Sequence, residues 1–182
     1  MTTKQEATWV LQAQCGDRDA LERLLGSVQP ALSRYLRGLI GSTHADDVAQ
    51  EVLVLAYRKL WWLKSPELFR PWLFRIASRS AFRYLKRERR WPQHLRDDEA
   101  LMDLPAPEVA PSPAAIQEQL EAADVTPASR AVLLLHFQED MTLQEVAAVL
   151  ELPVGTVKSR LAYGLAALRR TNITGEDNDR RR

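Results

Sequence analysis

Apolar residues recur at three- and four-residue spacing along nearly the whole chain, and no stretch alternates apolar with polar as a half-buried strand does. That period predicts an all-helical protein. Asp17 is placed to cap a helix in which Leu21, Leu24, Leu25 and Val28 share one side, and Leu32, Tyr35, Leu36 and Leu39 continue the pattern past Pro30. Pro30 is expected to kink or divide that helix. After a break at Gly41, Ser42 and Thr43, a second amphipathic helix carries Val48, Val52, Leu55, Ala56 and Leu60. Asp46 and Asp47 are expected in its first turn, where the helix dipole favours acids. Residues 63–70, with Pro66, read as a loop, and Pro71 fits the first position of a helix running to about Arg90.

The pattern then changes. Between Trp91 and Pro113 come Pro105, Pro107, Pro111 and Pro113 among acids and alanines, a composition too poor in large apolar groups to fold alone. Beyond it, residues 116–123 read as a short helix, and Thr126-Pro127 opens another that carries Val132, Leu133, Leu135 and His136. Thr142-Leu143-Gln144-Glu145 is a capping box, followed by a last helix from about Val154 to Arg170 and a polar tail expected to be disordered. The fold class expected is therefore all-α, with two small helical domains, residues 1–92 and 114–170, joined by a Pro-rich acidic linker at 93–113 and followed by a tail at 171–182. A chain of 182 residues suits two such domains.

Net charge, at +1, says little, but its distribution adds a partner. From Arg58 to Arg96 there are twelve Lys or Arg against Glu67 and Glu88, and from Asp97 to Asp124 eight acids with no Lys or Arg. Clusters of this kind act within a Debye length of about 8 Å, so a basic face for a polyanion is followed by an acidic connector. On an ideal helix wheel with Arg75 at zero, Arg79, Arg83, Lys86 and Arg90 fall at about 40°, 80°, 20° and 60°. They make one cationic stripe, with a packing flank expected at Leu73, Ile76, Ala77, Ser80 and Tyr84. Like charges at this spacing repel, no acid within the stripe relieves them, and an external polyanion would. Nine of the thirteen aromatics, among them Tyr57, Trp61, Trp62, Phe69 and Trp72, lie in the same part of the chain. Cations interleaved with rings suit single-stranded nucleic acid, whose bases stack while its phosphates pair with Arg. A basic solvated helix whose rings belong to the core is the plainer alternative.

Two helices joined by a short turn, with Ala147 where they would approach and Val146, Leu150, Leu152, Val157 and Leu161 to close a small core, have the form of a helix-turn-helix. Thr156, Lys158, Ser159 and Arg160 stand at the expected exposed start of its second helix. A helical hairpin with no DNA role has the same pattern.

Three segments resemble a known family in order and spacing: Asp47-Val48-Ala49-Gln50-Glu51 with a downstream Tyr57; Phe69-Arg70-Pro71-Trp72-Leu73-Phe74-Arg75-Ile76-Ala77; and Leu152-Pro153-Val154-Gly155-Thr156-Val157-Lys158-Ser159-Arg160-Leu161. They are similar to the two conserved domains of extracytoplasmic-function (ECF) alternative sigma factors, the sigma-70 family group that directs bacterial RNA polymerase to promoters. The resemblance covers about residues 14–92 and 114–170. It implies that Asp46, Asp47, Gln50, Glu51 and Tyr57 dock on the clamp coiled coil of the largest subunit of core RNA polymerase, and that the second domain meets the flap of the second-largest. It implies that Lys64, Ser65, Phe69, Arg75, Arg79, Arg83 and Lys86 recognise and hold the opened minus-10 element, a flipped base entering a pocket of the 63–69 loop. It implies that Thr142, Thr156, Lys158, Ser159, Arg160 and Tyr163 read minus-35 DNA, and that an anti-sigma factor controls the protein. The sequence departs from the family at Glu151, where a turn Gly is usual and a left-handed backbone costs about 1 kcal/mol, and at Tyr163 and Leu165, where Arg is frequent.

No enzymatic activity, cofactor or metal is expected: a phosphate-cradling Gly-rich loop is missing, and His44, His94 and His136 are scattered. Cys15 is the single cysteine, and neither a signal-like stretch nor a run of roughly 18 apolar residues occurs. A cytoplasmic protein without membrane insertion is expected. The alternative function is a helix-turn-helix DNA-binding regulator that acts independently of polymerase, which leaves the Asp47, Gln50, Glu51 group without a purpose.

Overall fold

The computed structural model of the chain describes residues 3–88, 116, 119, 120 and 123–179. The described residues form seven α-helices and no strand, and the chain divides into two compact units, Met1–Leu85 and Lys86–Arg182. The expected linker, Arg90 and His94 lie outside the described residues.

The first unit begins with a helix that apolar spacing did not reveal, α1 (Thr3–Gln14). Its buried face carries Val10 and Ala13 but also the charged Glu6, which breaks the periodic signal. Gly16, at φ 94°, turns the chain into α2 (Arg18–Ile40), where Asp17 accepts the Ala20 N–H at 3.0 Å as the cap expected of it. Pro30 does not divide α2. Its ring removes a bond to the carbonyl of Gly26, but both residues lie on the exposed side, where water can take that carbonyl's second role.

Gly41, at φ 85°, separates α2 from α3 (Ser42–Lys59). The break is one residue long rather than three, so Asp46 and Asp47 sit in the second turn of α3 and not the first. Two short 3-10 turns, Leu60–Trp62 and Pro66–Leu68, shape the segment read as a loop. Helix α4 (Phe69–Arg87) starts two residues before Pro71, placing that proline third, and ends before Arg90. The third position is still tolerated because the first four helical N–H groups have no acceptor within the helix.

The core of this unit joins Leu24, Leu32, Tyr35 and Leu36 of α2 to Leu60, Phe69, Leu73 and Phe74, all fully buried. Each such side chain contributes about 1.5–3 kcal/mol on removal from water. Tyr35 meets Phe74 edge to face, with ring centroids 5.3 Å apart, and its hydroxyl lies 2.7 Å from Ser78 Oγ. Ser78 gives its proton to the Phe74 carbonyl at 2.8 Å, so Tyr35 is the donor in the pair.

In the second unit, Ile116 and Leu120 of the expected short helix are buried, and both are helical. Helix α5 (Pro127–Phe137) opens as expected on Thr126, whose hydroxyl accepts from Ser129 N–H at 3.3 Å. The capping box of α6 (Leu143–Leu150) is complete: the Glu145 N–H donates to Thr142 Oγ1 at 3.2 Å and the Thr142 N–H to Glu145 Oε2 at 2.8 Å. His136 is structural, its Nδ1–H donating to the Met141 carbonyl at 2.7 Å across the turn. Glu151 is left-handed, at φ 58° and ψ 45°. Helix α7 (Val154–Asp179) packs on α5 at Gly164, where an added Cβ would stand 2.7 Å from Leu133 Cδ1. α7 runs past Arg170, so the tail expected to be disordered is helical as far as Asp179. Gly175 weakens this extension without ending it, since adding residues to a formed helix costs far less than nucleating one.

Candidate functional site

Three surfaces hold the residues singled out by sequence. On α3, Asp46, Asp47, Gln50, Glu51 and Tyr57 are all exposed, and the helical repeat sets them along one side with Arg58. Val54, exposed and seven residues after Asp47, lies within this stripe and was missed, although the same wheel arithmetic would have found it. The stripe thus has apolar groups, Val54 and Tyr57, flanked by acids and an amide, the make-up of a protein-docking face with a polar rim. Asp46 is tied to Arg37 of α2 at 3.0 Å, with both side chains largely exposed.

The second surface follows without a gap. The packed side of α4 comprises Phe69, Leu73, Phe74, Ala77, Ser78, Ser80, Ala81, Tyr84 and Leu85, half the helix circumference and wider than the flank expected. Phe69, 1% exposed and facing Trp72 with centroids 6.0 Å apart, belongs to this core and leaves the set of DNA-contacting residues. It falls on the buried half because α4 begins at that residue. On the opposite side, Arg79, Arg83 and Lys86 are exposed and Arg75 is half-buried, as the stripe predicts. Lys64 is exposed and Ser65 half-buried on the connecting segment.

The expectation that no acid relieves the stripe holds within α4 but not between helices. Glu51 Oε1 of α3 approaches Arg83 Nη1 at 3.5 Å. The acidic docking stripe and the cationic stripe therefore share a seam. Trp62 is 76% exposed and Trp61 stands beside it in sequence, a concentration of open aromatic surface at the end of α3.

In the helix-turn-helix, Thr142 and Lys158 are exposed, and Thr156, Ser159 and Tyr163 are half-buried. Ser159 Oγ donates to the Thr156 carbonyl at 3.0 Å. Arg160 does not stand with them: it is 9% exposed. Three residues after Val157 and four before Gly164, both buried, it lies on the packing side of α7, and it leaves the reading face. Glu151 gives its N–H to the Ala147 carbonyl and closes the turn in the left-handed form that Gly usually supplies.

Residues 24–91 match the family described as Sigma-70 region 2, and residues 123–170 match Sigma-70, region 4. The chain belongs to the sigma-70 family. This sigma factor is 31% identical over 178 residues to the RNA polymerase sigma-H factor of Pseudomonas aeruginosa, a likeness covering 88% of this chain and 90% of that protein. It is 26% identical over 176 residues to the ECF RNA polymerase sigma factor SigW of Bacillus subtilis, with 88% and 93% covered. The ECF resemblance read from the motifs is thereby borne out. Among solved structures, CnrH in complex with the cytosolic domain of CnrY shares 27% identity and a TM-score of 0.66, covering 91% of this chain and 96% of that one. The sigma factor RpoE of Bartonella quintana, solved with the anti-sigma factor NepR, shares the fold at 22% identity and a TM-score of 0.61, covering 82% and 94%. Among the described residues no helix is long and apolar enough to cross a membrane. The exposed α3 stripe, the α4 stripe and the turn at Glu151 all fall within the matched regions, whereas α1 precedes the first of them.

Proposed function

We propose that this sigma factor binds core RNA polymerase in the cytoplasm, carries it to promoters of one class and leaves the chemistry of RNA synthesis to the core enzyme. Asp46, Asp47, Gln50, Glu51 and Tyr57, with Val54 among them, dock on the clamp coiled coil. Lys64, Ser65, Arg75, Arg79, Arg83 and Lys86 hold the opened minus-10 strand. Thr142, Thr156, Lys158, Ser159 and Tyr163 read minus-35 DNA, in a domain that residues 114–170 supply and that also meets the flap. The observation that carries this reading is the pair of adjoining stripes on α3 and α4, one acidic and apolar, the other cationic. A regulator acting without polymerase has use for the helix-turn-helix but none for the first stripe.

A relative solved with an anti-sigma factor supports control by such a protein here too. Its occupancy of the polymerase-docking surface would keep the sigma factor silent until a signal removes it. The test is reconstitution: the purified chain should co-elute with core polymerase and start transcription from a cognate promoter, while binding free duplex weakly. Tight binding to a duplex operator with no affinity for core enzyme would overturn the assignment. Asp47→Arg and Glu51→Arg should each abolish co-elution while leaving the helical content intact.

A further inference from the structure

Helix α1 is bound to both ends of the segment that leads from α3 into α4. At its last residue, Gln14 Nε2 donates to two backbone carbonyls, Leu60 O at 2.8 Å and Leu63 O at 2.9 Å, which bracket the first 3-10 turn. In its first turn, the Glu6 carboxylate, 2% exposed, accepts Arg70 Nε on both oxygens at 3.0 and 2.9 Å. Arg70 stands immediately after Phe69, the buried residue at which α4 starts. Eight residues of helix separate Glu6 from Gln14, about 12 Å of rise, and Val10 and Ala13 between them seal the same face. The segment between the anchors, residues 64–68, has exposed or half-buried side chains throughout and carries Lys64 and Ser65.

We infer that α1 is a clamp that sets the shape of the minus-10-reading loop, with Gln14 and Glu6 as positioning residues for base selection. This rests on the proposed reading of the loop as the minus-10 recognition element. A loop fixed only by its own 3-10 turns would sample several shapes, and each shape would accept a different set of bases. Two carbonyls held by one amide, and a guanidinium held by a buried carboxylate, restrict it to one, since a buried carboxylate without Arg70 would carry the cost of an unpaired charge. An acid in the first turn suits the dipole of α1, but Glu6 is buried on the apolar face, and Arg70 from the start of α4 is what offsets that burial.

The experiment compares the full-length wild type with Gln14→Ala and with Glu6→Gln, which keeps the side chain's size. Hydrogen exchange of the amides of residues 61–68 reads the clamp directly. Holoenzyme assembled with each variant is then assayed for open-complex formation on a panel of promoters substituted singly across the minus-10 element. Expected are about tenfold faster loop exchange and about tenfold weaker discrimination between cognate and substituted promoters, the effect of one net hydrogen bond to or from a charged or doubly bonded group. Core affinity should change little, and thermal unfolding should stay cooperative with its midpoint lowered only as far as the loss of that one bond requires; a variant that has simply lost its fold shows no such transition. Such a variant is replaced by the paired Glu6→Gln, Arg70→Gln chain, which leaves no buried charge. Lys64→Ala and Ser65→Ala run alongside. If these two alter base discrimination and the α1 variants do not, the clamp is refuted while the loop's role stands. If neither set alters it, the reading of the loop falls, and the inference with it.

Discussion

Arg83 lies where the two proposed surfaces meet, so its removal separates their contributions. The side chain is 70% exposed and its partner Glu51 54%, at an N···O separation of 3.5 Å. An exposed pair of this kind contributes about 0–1 kcal/mol. Arg83→Gln should therefore leave thermal stability nearly unchanged, and any loosening of Glu51 should weaken core binding by no more than about fivefold, the equivalent of that upper bound. Promoter binding responds differently. Each cation that neutralises a phosphate of single-stranded DNA adds about 0.7 to the slope of log affinity against log salt. The assay is holoenzyme binding to a promoter with an opened minus-10 region, measured over a series of salt concentrations, beside core affinity measured for the same variant. A slope smaller by about 0.7, with core affinity within fivefold, is the expected pair of results. An unchanged slope would remove Arg83 from the phosphate-contacting set. A core affinity falling as far as promoter affinity would show that the Glu51–Arg83 contact belongs to polymerase docking, contrary to the division of labour proposed for α3 and α4.

Three further outcomes follow from the second unit. Glu151→Gly relieves a left-handed non-glycine backbone costing about 1–2 kcal/mol and loses part of this to the freedom of glycine in the unfolded chain; a net gain of about 0.5–1 kcal/mol should appear as a higher denaturation midpoint. Gly164→Val drives side-chain atoms into Leu133, already 2.7 Å from the position of a Cβ, and should destabilise the unit by about 1–3 kcal/mol in the same assay. Lys158→Ala should weaken minus-35 binding with stability unaltered, whereas Arg160→Ala should lower stability first; DNA-binding and melting measurements on both variants that gave the reverse order would return Arg160 to the reading face.

Periodicity and capping chemistry made most of the fold legible, because both are local. Asp17, Thr126 and the Thr142–Glu145 box each act within three residues, and each caps the helix expected of it. The cationic stripe was legible for the same reason: spacings of three and four place residues on one side of a helix whatever packs on the other. The misplacements have a common cause. Pro30, Pro71 and the Gly41 break were read as boundaries from residue type, but a proline on the exposed side, or within the first turn, leaves the helix intact, and a single glycine at positive φ suffices to end one helix and begin the next. Phe69 and Arg160 were assigned to surfaces from motif position, when the wheel that placed Arg79 and Arg83 correctly would have turned both inward.

What no local rule reaches is the polar contact between distant segments. Glu6 with Arg70, Gln14 with the carbonyls of Leu60 and Leu63, and Tyr35 with Ser78 join residues 43 to 64 positions apart. In the sequence each of these groups looks like an ordinary surface or core residue, and Glu6 interrupts the apolar period of the helix that carries it. A buried charge is tolerable only where its partner arrives from elsewhere, so such a residue gains its meaning from the fold rather than from its neighbours. For that reason the docking and DNA-holding stripes could be anticipated from single helices, while the element that fixes the loop between them became visible only once α1 had been placed against it.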